Sequence, residues 1–335
     1  MKLGSMLAFG LTVGMAGLVW AADAKAPAEK PKEKPTYLTV EEAGPDFKVQ
    51  GEYGAAEANK AKYGVQVIAL ANDLFRAVIF PGGLPGAGWD GNKKDKVEID
   101  GRRDGDQVNF AGKGWKGQIG ADGIAIKLSG AGGETIELAK VVRHSPTEGA
   151  KPPVGAKVLY GGPEDLHNWN NAHADARGLL ASGPTSTARF QNYTLHVEFL
   201  LPFKPAGRGQ DRANSGVYMQ NRYEVQVLDS FGLKRENNEC GGIYSKTAPS
   251  VNMCYPPLQW QTYDIDFTAA KYEGGKKVKN AVITVKQNGV VIHDGVEIVG
   301  PTGGGKPETA EPGEIQLQGH GNPVFYRNIW IVEKK

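Results

Sequence analysis

Apolar and polar residues alternate with a period of two along most of this 335-residue chain, and helical periodicity is nearly absent. Successive side chains of a strand point to opposite faces, so this alternation selects strands buried on one side. Tyr193 to Leu201 is the clearest case, with Leu195, Val197 and Phe199 on one face and His196 and Glu198 on the other. Val225 and Val227 alternate with Glu224 and Gln226, and the runs 260–267, 281–286, 290–293, 314–318 and 326–332 continue the series. The 46 glycines and 20 prolines do not recur every third residue, which excludes collagen and leaves them as punctuation between short strands. The pattern predicts an all-β chain, with a two-sheet β-sandwich of jelly-roll type over 156–335.

A small all-β accessory domain is expected over 41–155. Val65, Val67 and Ala69, then Phe75, Ala77 and Ile79, read as two strands joined around Asn72-Asp73. The Asp-Gly pairs at 100–101, 104–105 and 122–123 read as turns, and Lys151-Pro152-Pro153 as the domain linker. The glycine-rich loop 81–91 lacks the GK[ST] ending and following helix of a phosphate cradle. Trp89 and Trp115 are read as core residues rather than sugar-stacking platforms.

The 39 Lys and Arg nearly cancel the 37 Asp and Glu, and this balance argues against a nucleic-acid partner. Lys2, the apolar stretch from Met6 to Trp20 and the small residues Ala21, Ala22 and Ala24 read as a secretory signal peptide over 1–22. Residues 23–40 follow as a flexible linker rich in Ala, Lys, Pro and Glu. The expected location is periplasmic or extracellular, without stable membrane insertion, since no later segment is long and apolar enough to span a bilayer. Export makes Cys240 and Cys254 a disulfide candidate, the alternative being two buried thiols.

The polar residues with most chemical content lie between Asn214 and Asp229, where Glu224, Gln226 and Asp229 form E-x-Q-x-x-D. Residues 224 and 226 share a strand face. A one-residue bulge would bring Asp229 onto it and give two carboxyls suited to acid–base work on a glycoside. The other reading is a wet outer face. A two-residue turn at Asn221-Arg222 would set Met219 and Val217 opposite Glu224 and Gln226, giving a mixed face. His320, between Gly319 and Gly321, is a functional candidate because flanking glycines let the backbone turn sharply and approach a ligand. His196 and Glu198 are site walls if their face is concave.

The blocks NSGVYMQNRYEVQVLDSFG, ECGGIYSKTAPSVNMCYPPLQWQTYDIDF, VKQNGVVIHD and LQGHGNPVFYRNIWIVE resemble the 3-keto-disaccharide hydrolase family, also called 3-keto-glucoside 1,2-lyase/3-keto-2-hydroxy-glucal hydratase. The resemblance runs from about Lys157 to Glu333. It implies a concanavalin-like jelly roll, and it implies an enzyme acting on a small oxidised glycoside or oligosaccharide with a ketone at sugar C3. That ketone acidifies the C2 proton, so the implied chemistry is C2 deprotonation, elimination of the C1 substituent and hydration. On this reading Glu224 or Asp229 is the base and His320 the acid or enolate partner. Gln226, Asn214 and Arg222 hold hydroxyls, and Tyr218 or Tyr244 stacks on the ring. A divalent cation held by Glu224, Asp229 and His320 is an alternative electrophile. E-x-Q-x-x-D is also similar to the E-x-D-x-x-E strand of laminarinase-type glycosidases, but Gln226 and Asp229 depart from it and put a double displacement in doubt. The competing classes are a non-catalytic carbohydrate-binding module and, less favoured, an adhesion protein.

Overall fold

The computed structural model describes residue 1 and residues 34–334, apart from 59, 92–94 and 131. The expected signal peptide and the linker up to residue 33 lie outside the described residues. From Tyr37 the expected linker is already docked, with Tyr37 bridging to Phe203 through paired backbone hydrogen bonds of 2.9 Å.

One short helix, α1 (Gly44–Val49), precedes a succession of strands. The first eight are β1 (Gly51–Tyr53), β2 (Tyr63–Ala69), β3 (Leu74–Pro81), β4 (Val97–Asp104), β5 (Gln107–Gly112), β6 (Trp115–Gly120), β7 (Ala125–Ser129) and β8 (Thr135–Val141). Each pairs antiparallel with the next, and β8 returns to β1, closing a barrel. The barrel is filled by the residues that the alternation places inward, among them Val65, Val67, Phe75, Ala77, Ile79, Val108, Phe110 and Ile119. Closure removes the exposed sheet edges of so small a unit. Asp100-Gly101 is not a turn, contrary to expectation. It lies inside β4, where a Cβ on Gly101 would collide with the Phe110 ring, so the glycine admits a core aromatic.

The remaining strands are β9 (Lys157–Tyr160), β10 (Trp169–Asn170), β11 (Leu180–Ala181), β12 (Thr185–Phe190), β13 (Tyr193–Leu200), β14 (Ser215–Met219), β15 (Tyr223–Val227), β16 (Trp260–Thr268), β17 (Lys271–Glu273), β18 (Lys276–Lys279), β19 (Ala281–Gln287), β20 (Val290–Ile298), β21 (Gly313–Leu317) and β22 (Phe325–Glu333). A five-stranded sheet runs β10-β12-β21-β14-β15. A seven-stranded one runs β11-β22-β13-β16-β19-β20, with β9 also on β22, and β17 and β18 form a separate ribbon. Leu195, Val197 and Phe199 of the larger sheet share one hydrophobic core with Val217, Met219, Val225, Val227, Ile315 and Leu317 of the smaller. The chain is nearly all-β, as a β-sandwich requires.

Ile68, Val78 and Phe80, on the outward faces of β2 and β3, belong to the sandwich core rather than the barrel core. That explains why these two strands are apolar on both faces. Arg143 locks the junction with two 2.6 Å bonds to Glu52, and its guanidinium lies 5.1 Å from the centre of the Tyr255 ring. The segment between barrel and sandwich does not hang free, because residues 145–150 lie over the outer face of the larger sheet.

Candidate active site

The hairpin β14–β15 decides what faces what. Its connection is three residues long, Gln220-Asn221-Arg222, with Gln220 and Asn221 at φ of 54° and 56°. Tyr218 therefore pairs with Glu224 and Gly216 with Gln226. The expected two-residue turn would have shifted the register and mixed the face. The observed one leaves Val217, Met219, Val225 and Val227 to the core and sends Tyr218, Glu224 and Gln226 to the outer side. Gln318 joins them where its backbone N–H donates to the Gly216 carbonyl, just beyond β21.

Loops wall this outer side. Residues 241–244 bond to the free edge of β15 through Gly241, Gly242 and Tyr244. The glycine-rich stretch 301–306 crosses beside it, with the Thr302 and Lys306 N–H groups donating to the Arg222 and Asn221 carbonyls. Gly304, at φ +75°, passes so close that a Cβ would lie 3.0 Å from the Tyr218 hydroxyl. Together they enclose a cavity of about 230 Å³ lined by Gln210, Asn214, Glu224, Gln226, Tyr244, Gly303, Gly304, Gln318 and His320.

Glu224 is its carboxyl group, 2% exposed, and burial pushes its pKa up to about 7 against the opposing hydrogen bond from Tyr218. The Tyr218 hydroxyl lies 2.7 Å from Glu224 Oε2, 2.9 Å from the Gly303 carbonyl and 3.2 Å from Gln318 Nε2. It has one proton for two acceptors. If Glu224 is neutral, its own O–H donates to Tyr218, which donates onward to Gly303, and every group is satisfied. Ionised Glu224 takes the tyrosine proton and strands the carbonyl. Both forms thus have a hydrogen-bond partner in Tyr218, and burial favours the acid form while the Tyr218 bond favours the ionised one, so each is within reach near neutral pH, the condition for proton transfer in either direction.

Glu224, Gln226, Asn214, Tyr244 and His320 come together as expected. Asp229 does not. β15 runs without a bulge and ends at Val227, and Asp229, fully buried, binds Arg212 Nε at 2.8 Å and the Phe231 N–H at 3.2 Å. The set Glu224, Asp229 and His320 therefore does not assemble as metal ligands, and among the described residues no three His, Cys, Asp or Glu side chains gather for a cation. Arg222 is turned away from the cavity. Its guanidinium binds Gln220, Thr309 and the Glu311 carbonyl, pinning the loop after the glycine stretch. Tyr218 is too buried to stack on a ring and supports Glu224 instead.

His196 and Glu198 lie on the other sheet, on its outer face, and are fully buried under residues 145–150. His196 Nδ1 is 2.6 Å from Asp264, and its ring stacks on Trp330 at 4.9 Å. Glu198 accepts from Gly149, Arg327 and Asn328 at 2.5, 2.7 and 2.8 Å. They are not cavity walls. Cys240 and Cys254 are free, buried thiols rather than a disulfide. Cys240 is bonded by Gln287 and lies 3.2 Å from the Tyr263 hydroxyl, and Cys254 faces the Leu228 carbonyl.

Sequence reasoning missed Gln210, Gln318 and the glycines 303 and 304. Gln318 was legible as a polar residue ending an alternating strand, and Gly303-Gly304-Gly305 as backbone able to approach closely. Gln210 carried no signal.

A polar cavity with one poised carboxylic acid, on the outer face of a β-sandwich sheet, has the construction of a carbohydrate-active enzyme. The chain belongs to the 3-keto-alpha-glucoside-1,2-lyase-like domain family, whose profile matches residues 155–332. The barrel lies outside the match. A solved structure from Parabacteroides distasonis ATCC 8503, described as a candidate glycosyl hydrolase, is 33% identical, covering 54% of this chain and 85% of that one with a TM-score of 0.50. A second from the same organism, also described as a candidate glycosyl hydrolase, is 23% identical over 53% of this chain and 99% of that one, with a TM-score of 0.38. Comparison with curated proteins gives no match.

Proposed function

We propose that the protein cleaves 3-keto-glucosides or 3-keto-disaccharides by elimination and hydration. The observation that carries this is Glu224, a buried acid with its pKa near 7 in the wall of the cavity. Ionised Glu224 removes the C2 proton of the keto sugar, and the C–H electrons pass to the C3 oxygen as an enolate. The C3 carbonyl then re-forms, a C1–C2 double bond develops and the C1–O bond breaks. His320, on the same cavity, gives the departing oxygen its proton. Water next adds its hydroxyl to C1 and a proton to C2, so the sum is hydrolysis. Tyr218 positions Glu224, and Tyr244 offers its ring to the sugar. The jelly-roll fold and the accessory role of the barrel belong to this reading, as does export to the periplasm or beyond.

Incubation with a 3-keto-glucoside in heavy water tests it. Elimination places deuterium at C2 of the released sugar, and Glu224→Gln abolishes release. Cleavage without deuterium at C2 indicates direct displacement at C1. Tight binding with no cleavage indicates a carbohydrate-binding module, and either result overturns the proposal.

A further inference from the structure

Among the described residues, eight buried side-chain polar atoms have no hydrogen-bond partner, and two of them, Asn214 Oδ1 and Gln318 Oε1, belong to residues lining this one cavity. Both are carbonyl oxygens, and the surrounding bonds fix that orientation. The Val227 N–H can only donate, so the Gln226 atom 3.1 Å from it is the oxygen. Gln226 Nε2 then faces Gln210 at 3.0 Å and makes the Gln210 atom there an oxygen, while Gln210 Nε2 donates to the Asn238 carbonyl. The same Gln210 oxygen receives Asn214 at 3.0 Å, which must present its nitrogen and so leaves Oδ1 unpaired. Gln318 is fixed in the same way. The single Tyr218 proton goes to Glu224 or Gly303, so the Gln318 atom beside Tyr218 is the donor and Oε1 is unpaired.

We propose that Asn214 and Gln318 determine specificity by reading ring hydroxyls. A buried acceptor left unpaired is costly, and a hydroxyl satisfies it where a ketone oxygen repels it. A ring hydroxyl of the substrate therefore lies against each of Asn214 and Gln318, and the ketone oxygen lies against neither. This rests on the proposed reaction, and the test separates the two.

The experiment compares a 3-keto-glucoside with its 2-, 4- and 6-deoxy analogues on the wild type, Asn214→Ala and Gln318→Leu. Each variant is expected to lose about 10- to 100-fold in kcat/KM on the parent. For each variant one deoxy analogue should show no further loss, because the hydroxyl that the amide reads is already gone. Gln318→Leu removes only a bond to Tyr218 and should unfold at the wild-type temperature, which separates recognition from folding. Equal losses on all four sugars, or no loss on the parent, overturn the proposal. If the wild type leaves the keto-glucoside intact, the proposed reaction fails, and the same cycle is read from calorimetric binding of methyl glucoside and its deoxy analogues. The one-analogue pattern in affinity then sustains hydroxyl reading, and its absence rejects it.

Discussion

The outer faces of the two sheets each carry a buried polar cluster, and the clusters have opposite fates. On the larger sheet Glu198 accepts bonds from Gly149, Arg327 and Asn328, His196 binds Asp264, and residues 145–150 seal them. Burial opposes the charge on Glu198, but the bonds from His196, Asn328, Arg327 and Gly149 prevail and hold its pKa at about 2. On the smaller sheet Glu224 faces a cavity with one hydroxyl for support, and burial wins. The strand pattern is the same in both places. The number of partners per carboxylate distinguishes a rivet from a reactive group.

Substitution breaks this comparison in opposite directions. Glu224→Gln should lower turnover of a keto-glucoside by about 10²- to 10⁴-fold, the range for losing a general acid or base, with the fold intact. Glu198→Ala should instead cost about 3–5 kcal/mol in urea unfolding, because Arg327 and His196 lose a buried counter-charge, while the folded fraction keeps its activity per molecule. If Glu198→Ala spares stability and destroys turnover, the two clusters have been assigned the wrong way round.

The pH dependence sharpens the contrast. The Glu224 pKa is raised in the folded state, so the folded protein binds the extra proton between pH 4.5 and about 7, and stability falls as pH rises through that window. Glu224→Gln removes the penalty and should stabilise the protein by on the order of 3 kcal/mol at pH 8 and negligibly at pH 4. Glu198 is depressed, so its stabilisation is present above pH 4.5 and is lost as pH falls through about 2. Thermal unfolding of each variant across pH checks both signs, and a Glu224→Gln gain that does not grow between pH 4 and 8 would refute the first.

The strands of both halves were legible because alternation reports directly which side is buried, and β13, β15, β16, β19 and β22 lie where the pattern puts them. Faces exposed to a second layer were not. Glu198 and Glu224 look alike in sequence because what covers them comes from residues 145–150 in one case and 301–306 in the other, each distant along the chain. Asp229 was misplaced because a bulge that would bring it to the shared face cannot be told from a strand that ends. The Tyr218–Glu224 pairing turned on one residue of loop length, which the choice of Asn221-Arg222 as the turn could not resolve.

The smallest expected effect isolates Tyr218. Its hydrogen bond is the influence that lowers the Glu224 pKa, against the larger upward push of burial. Tyr218→Phe keeps the ring in its buried slot and removes that bond, together with those to the Gly303 carbonyl and Gln318 Nε2. Glu224 should then rise further, and the limb of the kcat/KM profile that follows its ionisation should move to higher pH. For a rise of about one pKa unit the loss at pH 7 should be roughly fivefold, and it should be largely recovered at alkaline pH, where Glu224 is ionised in both proteins. A loss that persists unchanged across the pH range would mean that Tyr218 touches the substrate instead of holding the acid. In that case the contrast between a riveted carboxylate and a poised one would rest on Glu224 burial without its neighbour's help.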